Sequence, residues 1–427
     1  MSSPALQGQA NPANASAPAT RDGASGTVAR RASMLITGRG SATTPRRLRL
    51  SRLALTVLTV VLTAGGIATS AVLAERQSQA DVQAAQYVRT SAIETELLRA
   101  HAATASSLVQ AAGAQASAQQ TIATNATDTA ASTLLEIASA GTDDPAALAA
   151  VSQGILRYTQ TLAQAQQQRG TEAFRATLDG AYGQLTEDLL PKVDALQNAH
   201  RAESTMGVVW WMWLLPVFAW LTAAAILAAS WYVARTSHRV VNAGLALALA
   251  ATVTVALYSG NVITSAQSGG LGDSFSRLES LATARQATIG GHALLANGVA
   301  TRTWSKDDTT ALQSRFDEAR QALDGDSDLQ PQVESLRTGA DAVRAAAESR
   351  DWDTATSRLL DTGKGDQTGG FLDKAGEATS AALADVHAAA AARQDQITLF
   401  AVVAVLCSLG AGLAAIAGFH QRLKDYR

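Results

Sequence analysis

The stretch "WYVARTSHRVVNAG", Trp231 to Gly244, is a short basic interruption between two long apolar runs. If both runs cross a membrane, Arg235 to Arg239 form a loop of only a few residues. Two further apolar runs flank this pair, so four stretches reach the roughly 20 residues that a spanning helix needs. They are Leu53–Ala74, Gly207–Ala234, Val240–Tyr258 and Ile397–Phe419.

Charge separates the segments between them. Residues through Arg52, the central loop and the tail "HQRLKDYR" together carry 13 basic and 2 acidic residues. Residues 75–207 carry 8 bases and 14 acids, and residues 259–396 carry 13 and 20. The positive-inside rule puts both termini and the loop in the cytosol of a multi-pass plasma-membrane protein, with two acidic segments outside. Aromatic residues agree: Trp210, Trp211 and Trp213 anchor the outer boundary of the second span, and Trp231 and Tyr232 its inner boundary. Pro216, inside that run, predicts a kink. A cleaved signal peptide is the competing reading of the first run, since "VLA" at Val72–Ala74 is a tolerable cleavage site. The roughly 50 residues before it and its length favour a retained anchor.

The outer segments read as helices throughout. Ile93, Leu97, His101, Thr104 and Leu108 fall on one helical face. "GAQAS" near Gly113, "GTDDP" at Gly141–Pro145 and "QRGT" at Gln168–Thr171 break the pattern, with Thr142 as N-cap and Pro145 in the first turn. The second segment repeats the plan, with Leu278, Leu281, Ile289, His292, Leu295 and Val299 on its first seam. "SKDD" at Ser305–Asp308 caps its second helix and "GDSD" at Gly325–Asp328 precedes its third. Arg169 and Lys192 echo Arg350 and Lys374, and His101 echoes His292. The expectation is an all-α integral membrane protein of four transmembrane helices, with two extracytoplasmic up-down-up-down four-helix bundles in tandem repeat. The bundles occupy 75–206 and 259–396. The 50 residues that precede the first span are Ala-, Ser-, Gly-, Pro- and Arg-rich and are expected to be disordered.

Chemistry is nearly absent. "DTGKGDQTGG" at Asp361–Gly370 lacks the first glycine of a phosphate loop, and Lys364 precedes Gly365 instead of Ser or Thr; it reads as a break in the last long helix. One Cys, Cys407, and six His offer no cluster with metal-ligand spacing. No catalytic constellation stands out, so neither an enzyme nor a bound cofactor is expected. His101 and His292 sit on apolar seams, where a histidine is a hydrogen-bonded core residue or a pH switch. Trp304 and Trp352 share the membrane-distal end of their bundle, as docking anchors for a partner or as plugs of its open end. The spans carry no ionisable residue in their middles, which disfavours transport. "GAGLAAIAG" at Gly410–Gly418 offers a small-residue face for packing among spans or between protomers of a homo-oligomer.

"RAHAATASSLV" at Arg99–Val109 and "YTQTLAQAQQQRG…LTEDLLPKVDAL" at Tyr158–Leu196 resemble an actinobacterial family, the GlnX-type four-span transmembrane transducers. The resemblance implies a protein between an amino-acid-binding lipoprotein outside and a cytosolic serine/threonine kinase inside. The implied coupling surface is the short loop and tail, with Arg235, His238, Arg239, Arg422 and Lys424. These pieces are too short to hold an output domain, so the signal would pass to a separate protein. A structural scaffold of the cell envelope is the alternative.

Overall fold

The computed structural model describes residues 44–110, 113–141, 145–204, 210–237, 242–267, 271–364 and 367–424. Among them all regular structure is helical.

The first helix, α1 (Thr44–Val109), runs for 66 residues without a break. At 1.5 Å per residue that is roughly 100 Å, three times a bilayer's hydrocarbon thickness. It passes from the apolar run near its base directly into the outer body. The last helix, α12 (Gln367–Lys424), does the same in reverse over 58 residues. Between them lie α2 (Ala114–Ala140), α3 (Pro145–Gln167), α4 (Ala173–Gly183) and α5 (Leu190–Ser204) of the first half. Next come the helices α6 (Leu214–Ser237) and α7 (Ala243–Gln267). The second half holds α8 (Leu271–Thr301), α9 (Lys306–Ala322), α10 (Gln330–Glu348) and α11 (Trp352–Lys364), followed by α12.

The helix ends follow the local chemistry. Ser305 accepts from the Asp308 amide while the Asp308 carboxylate accepts from the Ser305 amide, a complete capping box for α9. Gly141 ends α2 in the left-handed conformation with φ 67. Pro145 opens α3, where its missing N–H costs nothing. Thr142, expected as the cap of that helix, lies outside the described residues. So do Gly365 and Asp366, between the end of α11 and the start of α12.

Two details depart from the sequence reading. A 3-10 turn at Trp210–Trp213 precedes α6. Pro216 is therefore the third residue of its α-helix, where no backbone bond is missed, and it does not kink the middle of a span. The apolar parts of α6 and α7 run Trp210–Tyr232 and Ala243–Ser265. The second departure is a π turn at Gln184–Leu189, joining α4 to α5, in which the Leu190 amide reaches back to Leu185 O. Pro191 follows at once. Its ring would press on a carbonyl one turn back, and the wider turn relieves that clash.

Among the described residues four helices, α1, α6, α7 and α12, carry stretches long and apolar enough to cross a membrane, which marks a membrane protein. Glycine sets their spacing. Thr59 packs on Gly412 of α12, Gly66 on Ala404, and Leu215 on Gly65. Gly244 of α7 meets the backbone of Ala414 and Gly418 so closely that a Cβ would not fit. The Asn242 side-chain amide donates to Gly418 O, at 3.3 Å. The early turns of α1, the later turns of α6, the start of α7 and the end of α12 thus gather at one end.

The outer body is not two separate bundles. Buried side chains from both halves form one continuous core, from Ile93, Leu97, Tyr158, Leu178 and Leu185 to Leu278, Ile289, Leu312, Val333 and Phe371. The helices α1 and α8 run side by side at its centre. Both helices contribute small side chains to this core, among them Ala102, Ala105, Ala284, Ala287, Ala293 and Ala296.

Candidate functional site

Besides the shared apolar core, polar contacts join the helices, and most of them start on α1. Climbing that helix from its apolar base, the first contact is Asp81, which accepts from His387 Nδ1 of α12 at 2.7 Å. Gln83 Oε1 meets His200 Nδ1 of α5 at 2.6 Å. Tyr87 stacks at a tilt on Phe275 of α8, with ring centroids 5.2 Å apart. One to two turns higher, Glu94 Oε2 accepts from Gln286 Nε2 of α8 at 2.8 Å, and the same amide reaches Gln197 Oε1 of α5 at 3.2 Å. Glu96 lies beside Arg285 of α8 and Arg99, with Asp373 of α12 close by. At the top, His101 Nε2 meets Asn297 Oδ1 of α8 at 3.2 Å, and Asn297 Nδ2 donates to Asp179 of α4 at 3.2 Å. One helix therefore exchanges hydrogen bonds with α5, α8 and α12 at successive turns.

The His101 level is the most enclosed. Its ring is fully buried and lies 5.0 Å from Tyr182 and 6.3 Å from Tyr158, centre to centre. Burial lowers its pKa to about 4, against the opposing pull of the Asn297 bond. The imidazole is therefore neutral at physiological pH. Asn297 Nδ2 is committed to Asp179, so Asn297 offers its oxygen and Nε2 of His101 carries the proton. Nδ1 of His101, the Thr104 hydroxyl and the Tyr158 hydroxyl are buried here without a protein partner. Burial also pushes the Tyr158 phenol well above its ordinary value.

The second half repeats the pattern around His292. It lines a cavity of about 10 Å³, room for one water, walled by Leu295, Phe316 and Leu336. The Thr288 and Thr368 hydroxyls border it, buried and unpartnered. Burial lowers the His292 pKa to about 4 as well. Of the two histidines expected on apolar seams, His101 is thus a core residue and His292 is half-buried, and each sits among unsatisfied hydroxyls.

Trp304 and Trp352 are half-buried against the core rather than free. The Trp304 indole covers Gly298, where a Cβ would come within 2.6 Å of the ring, and its N–H donates to the Thr309 hydroxyl at 3.0 Å. That hydroxyl also donates to Glu348 at 2.9 Å, tying the start of α9 to the end of α10. Each tryptophan follows an arginine in the left-handed region, Arg302 at φ 57 and Arg350 at φ 60.

At the opposite end, Arg235 lies over the Trp231 ring, 5.5 Å from its centre. Trp210 and Trp231 are exposed, whereas Trp211 and Trp213 pack against the core of the spans. Tyr232 is half-buried in the last turns of α6. Arg422 and Lys424 belong to the final turn of α12. His238 and Arg239 lie outside the described residues.

Residues 68–206 match the family described as an actinobacterial sensor domain. The match covers about a third of the chain and spans the outer part of α1 through α5. It points to a role in sensing or signalling for this half. No curated protein and no solved structure matches the chain. Among the described residues no group of three or more His, Cys, Asp or Glu side chains is placed to hold a metal ion.

Sequence reasoning found His101 and His292 from their place on apolar faces. It missed Glu94 and Asn297. Glu94 stands four residues after Thr90 and seven before His101, both buried on the same face, and that spacing was the available signal. Asn297 carries no comparable mark, because its role depends on a helix some 200 residues away.

Proposed function

We propose that the chain is a non-enzymatic transmembrane signal transducer, with the outer body outside the plasma membrane and the termini and Arg235–Arg239 loop in the cytosol. One observation carries this reading: the stretch similar to an actinobacterial sensor domain is built on a helix, α1, that continues without a break into a membrane-spanning stretch. A partner that binds one arrangement of the outer helices better than another shifts the equilibrium by that difference in affinity. A continuous helix hands the shift to the membrane, and α12 offers a second such connection.

The resemblance to GlnX-type transducers supports the finer reading. In it, an amino-acid-binding lipoprotein is the outer partner and a serine/threonine kinase the inner one. The inner contact would fall on Arg235, His238, Arg239, Arg422 and Lys424, the basic groups of the short loop and the tail. The charge asymmetry of the segments supports this orientation.

A crosslinked pull-down from native membranes, read by mass spectrometry, tests the proposal. Recovery of both a solute-binding lipoprotein and a soluble kinase is the expected result. Recovery of envelope-assembly proteins alone would replace the transducer with a scaffold. Removing the loop and tail charges should abolish the kinase contact and leave the outer one intact.

A further inference from the structure

We propose that the cavity beside His292 is a binding site for one water molecule, which ties the first turn of α12 to α8. The site stands apart from the transducer reading; under that reading it fixes where the helix bearing the last span begins.

Three polar groups converge on the cavity from two helices. Thr288 and His292 stand one turn apart on α8, and Thr368 lies in the first turn of α12. The rest of the wall is apolar: Leu295 of α8, Phe316 of α9, and Leu336, Ala340 and Val343 of α10. Gly291 lets the Phe316 ring close on α8, since a Cβ there would stand only 3.1 Å from it. Phe316, Leu336, Ala340 and Val343 are all buried, so these sides are shut to solvent. A volume of about 10 Å³ suits a single water and nothing larger.

The hydroxyls show what the occupant must supply. Other buried threonines of the outer body bond to their own helix. Thr95 donates to Ser91 O at 3.0 Å, Thr301 to Asn297 O at 2.8 Å and Thr379 to Ala375 O at 2.6 Å. Thr288 is equally buried, with 1 % of its surface accessible, yet its hydroxyl takes no partner in the protein. The Ala284 carbonyl stands one turn back in the same helix and is not used. Thr368 is the second residue of α12, so its own helix offers no carbonyl four residues back. Its hydroxyl oxygen is buried without a partner as well.

Burial keeps His292 neutral at physiological pH, and its ring then offers one N–H and one bare nitrogen. Water brings two donors and two lone pairs, enough to serve both hydroxyls and the ring together. An apolar occupant would leave all three groups unpaired, and the residues lining the cavity carry no charge to hold an ion. The lining therefore selects water. Held by Thr288 and His292 on one side and Thr368 on the other, it clamps the start of α12 to α8. From there α12 runs on to its membrane-spanning stretch.

The test uses the full chain in lipid nanodiscs without any partner. Oxygen-17 relaxation dispersion of the solvent counts long-lived internal waters. Thr288→Val combined with Thr368→Val replaces both hydroxyls by methyl groups of the same shape and should hold one water fewer than the native chain. Thr288→Ser keeps the hydroxyl and should keep the native count. Hydrogen exchange in the second turn of α12, around Phe371, should quicken in the double variant and stay unchanged in α9. A dry cavity predicts the reverse: equal counts in all three chains, and slower exchange once two unpaired hydroxyls have left the core. That result overturns the proposal, and a count that falls with exchange unchanged in α12 overturns the tie. Should the double variant fail to fold, a density map of the native chain that shows ordered water decides. A peak within hydrogen-bond distance of Thr288, His292 and Thr368 supports the site, and its absence sinks it. Because no lipoprotein or kinase takes part, a negative result here leaves the transducer reading standing, and a failed pull-down leaves this site standing.

Discussion

At the residue scale, the buried His101 and Glu94 and the half-buried His292 give the outer body a defined pH response. His101 and His292 have folded-state pKa values lowered to about 4 from 6.5. The unfolded chain takes up their protons first, so stability is complete above about 6.5 and is lost as pH falls from there through 4. Glu94 acts in the other sense. Its folded value of about 8 against 4.5 means the native state keeps a proton that the unfolded chain has released. Stability therefore falls as pH rises from 4.5 to 8. The two histidines outweigh the one carboxyl in the overlap, so these groups place the stability maximum near pH 6.5. Thermal unfolding across this range should show that maximum. Glu94→Gln should remove the decline on its alkaline side, and His101→Gln should reduce the slope on its acid side. A second residue-scale prediction concerns Gly244. An added Cβ would lie 3.0 Å from Gly418 Cα and closer still to the Ala414 carbonyl. Gly244→Ala should therefore force α7 from α12 and cost about 2 kcal/mol, as overpacking does, with a lower unfolding temperature in detergent. Gly260→Ala, whose Cβ would meet nothing, is the control.

At the element scale, the boundaries of the helices were largely legible and their registers were not. Gly141, Pro145, Ser305 and the "GDSD" stretch mark their breaks by known turn and cap chemistry, and the structure ends or starts helices there. The π turn before Pro191 was illegible, because a proline in a helical pattern signals a stop more often than a widened turn. The two turns that carry Arg302 and Arg350 show a different gap. Both arginines adopt φ near +60, a conformation that glycine takes without strain, and each is followed two residues later by a tryptophan seated on the core. The tryptophans hold the turns in place from below. Arg302→Gly and Arg350→Gly should each relieve the side-chain clash and stabilise by roughly 1 kcal/mol, read as a rise in the midpoint of thermal unfolding. By contrast Ser305→Ala removes one half of the capping box and should cost about 1 kcal/mol in the same measurement.

At the scale of the whole molecule, the decisive fact is the shared core. Hydrophobic periodicity located eight outer helices but could not say that the halves adjoin, because the shared core is rich in alanine, which matches many partners equally well. The pairing is selected instead by a few polar contacts, Glu94 with Gln286 and His101 with Asn297 among them, and single polar residues are weak signals in a sequence. Two independent bundles and one fused body differ in how damage spreads. Leu178 of α4 is fully buried in the first half, within the core that continues into the second. Leu178→Ala should cost about 2 to 5 kcal/mol through lost burial and the cavity left behind. If the halves fold as one unit, that loss appears wherever exchange requires global unfolding. Hydrogen exchange of amides in the middle of α10, in the second half and on another helix, should then quicken by the factor seen in α3. Acceleration confined to α2–α5 would mean that the seam transmits little and that the halves respond separately. The fused outcome is the one a transducer needs, since an event on the first half can reach α12 and the last span only through a seam that resists being pulled apart.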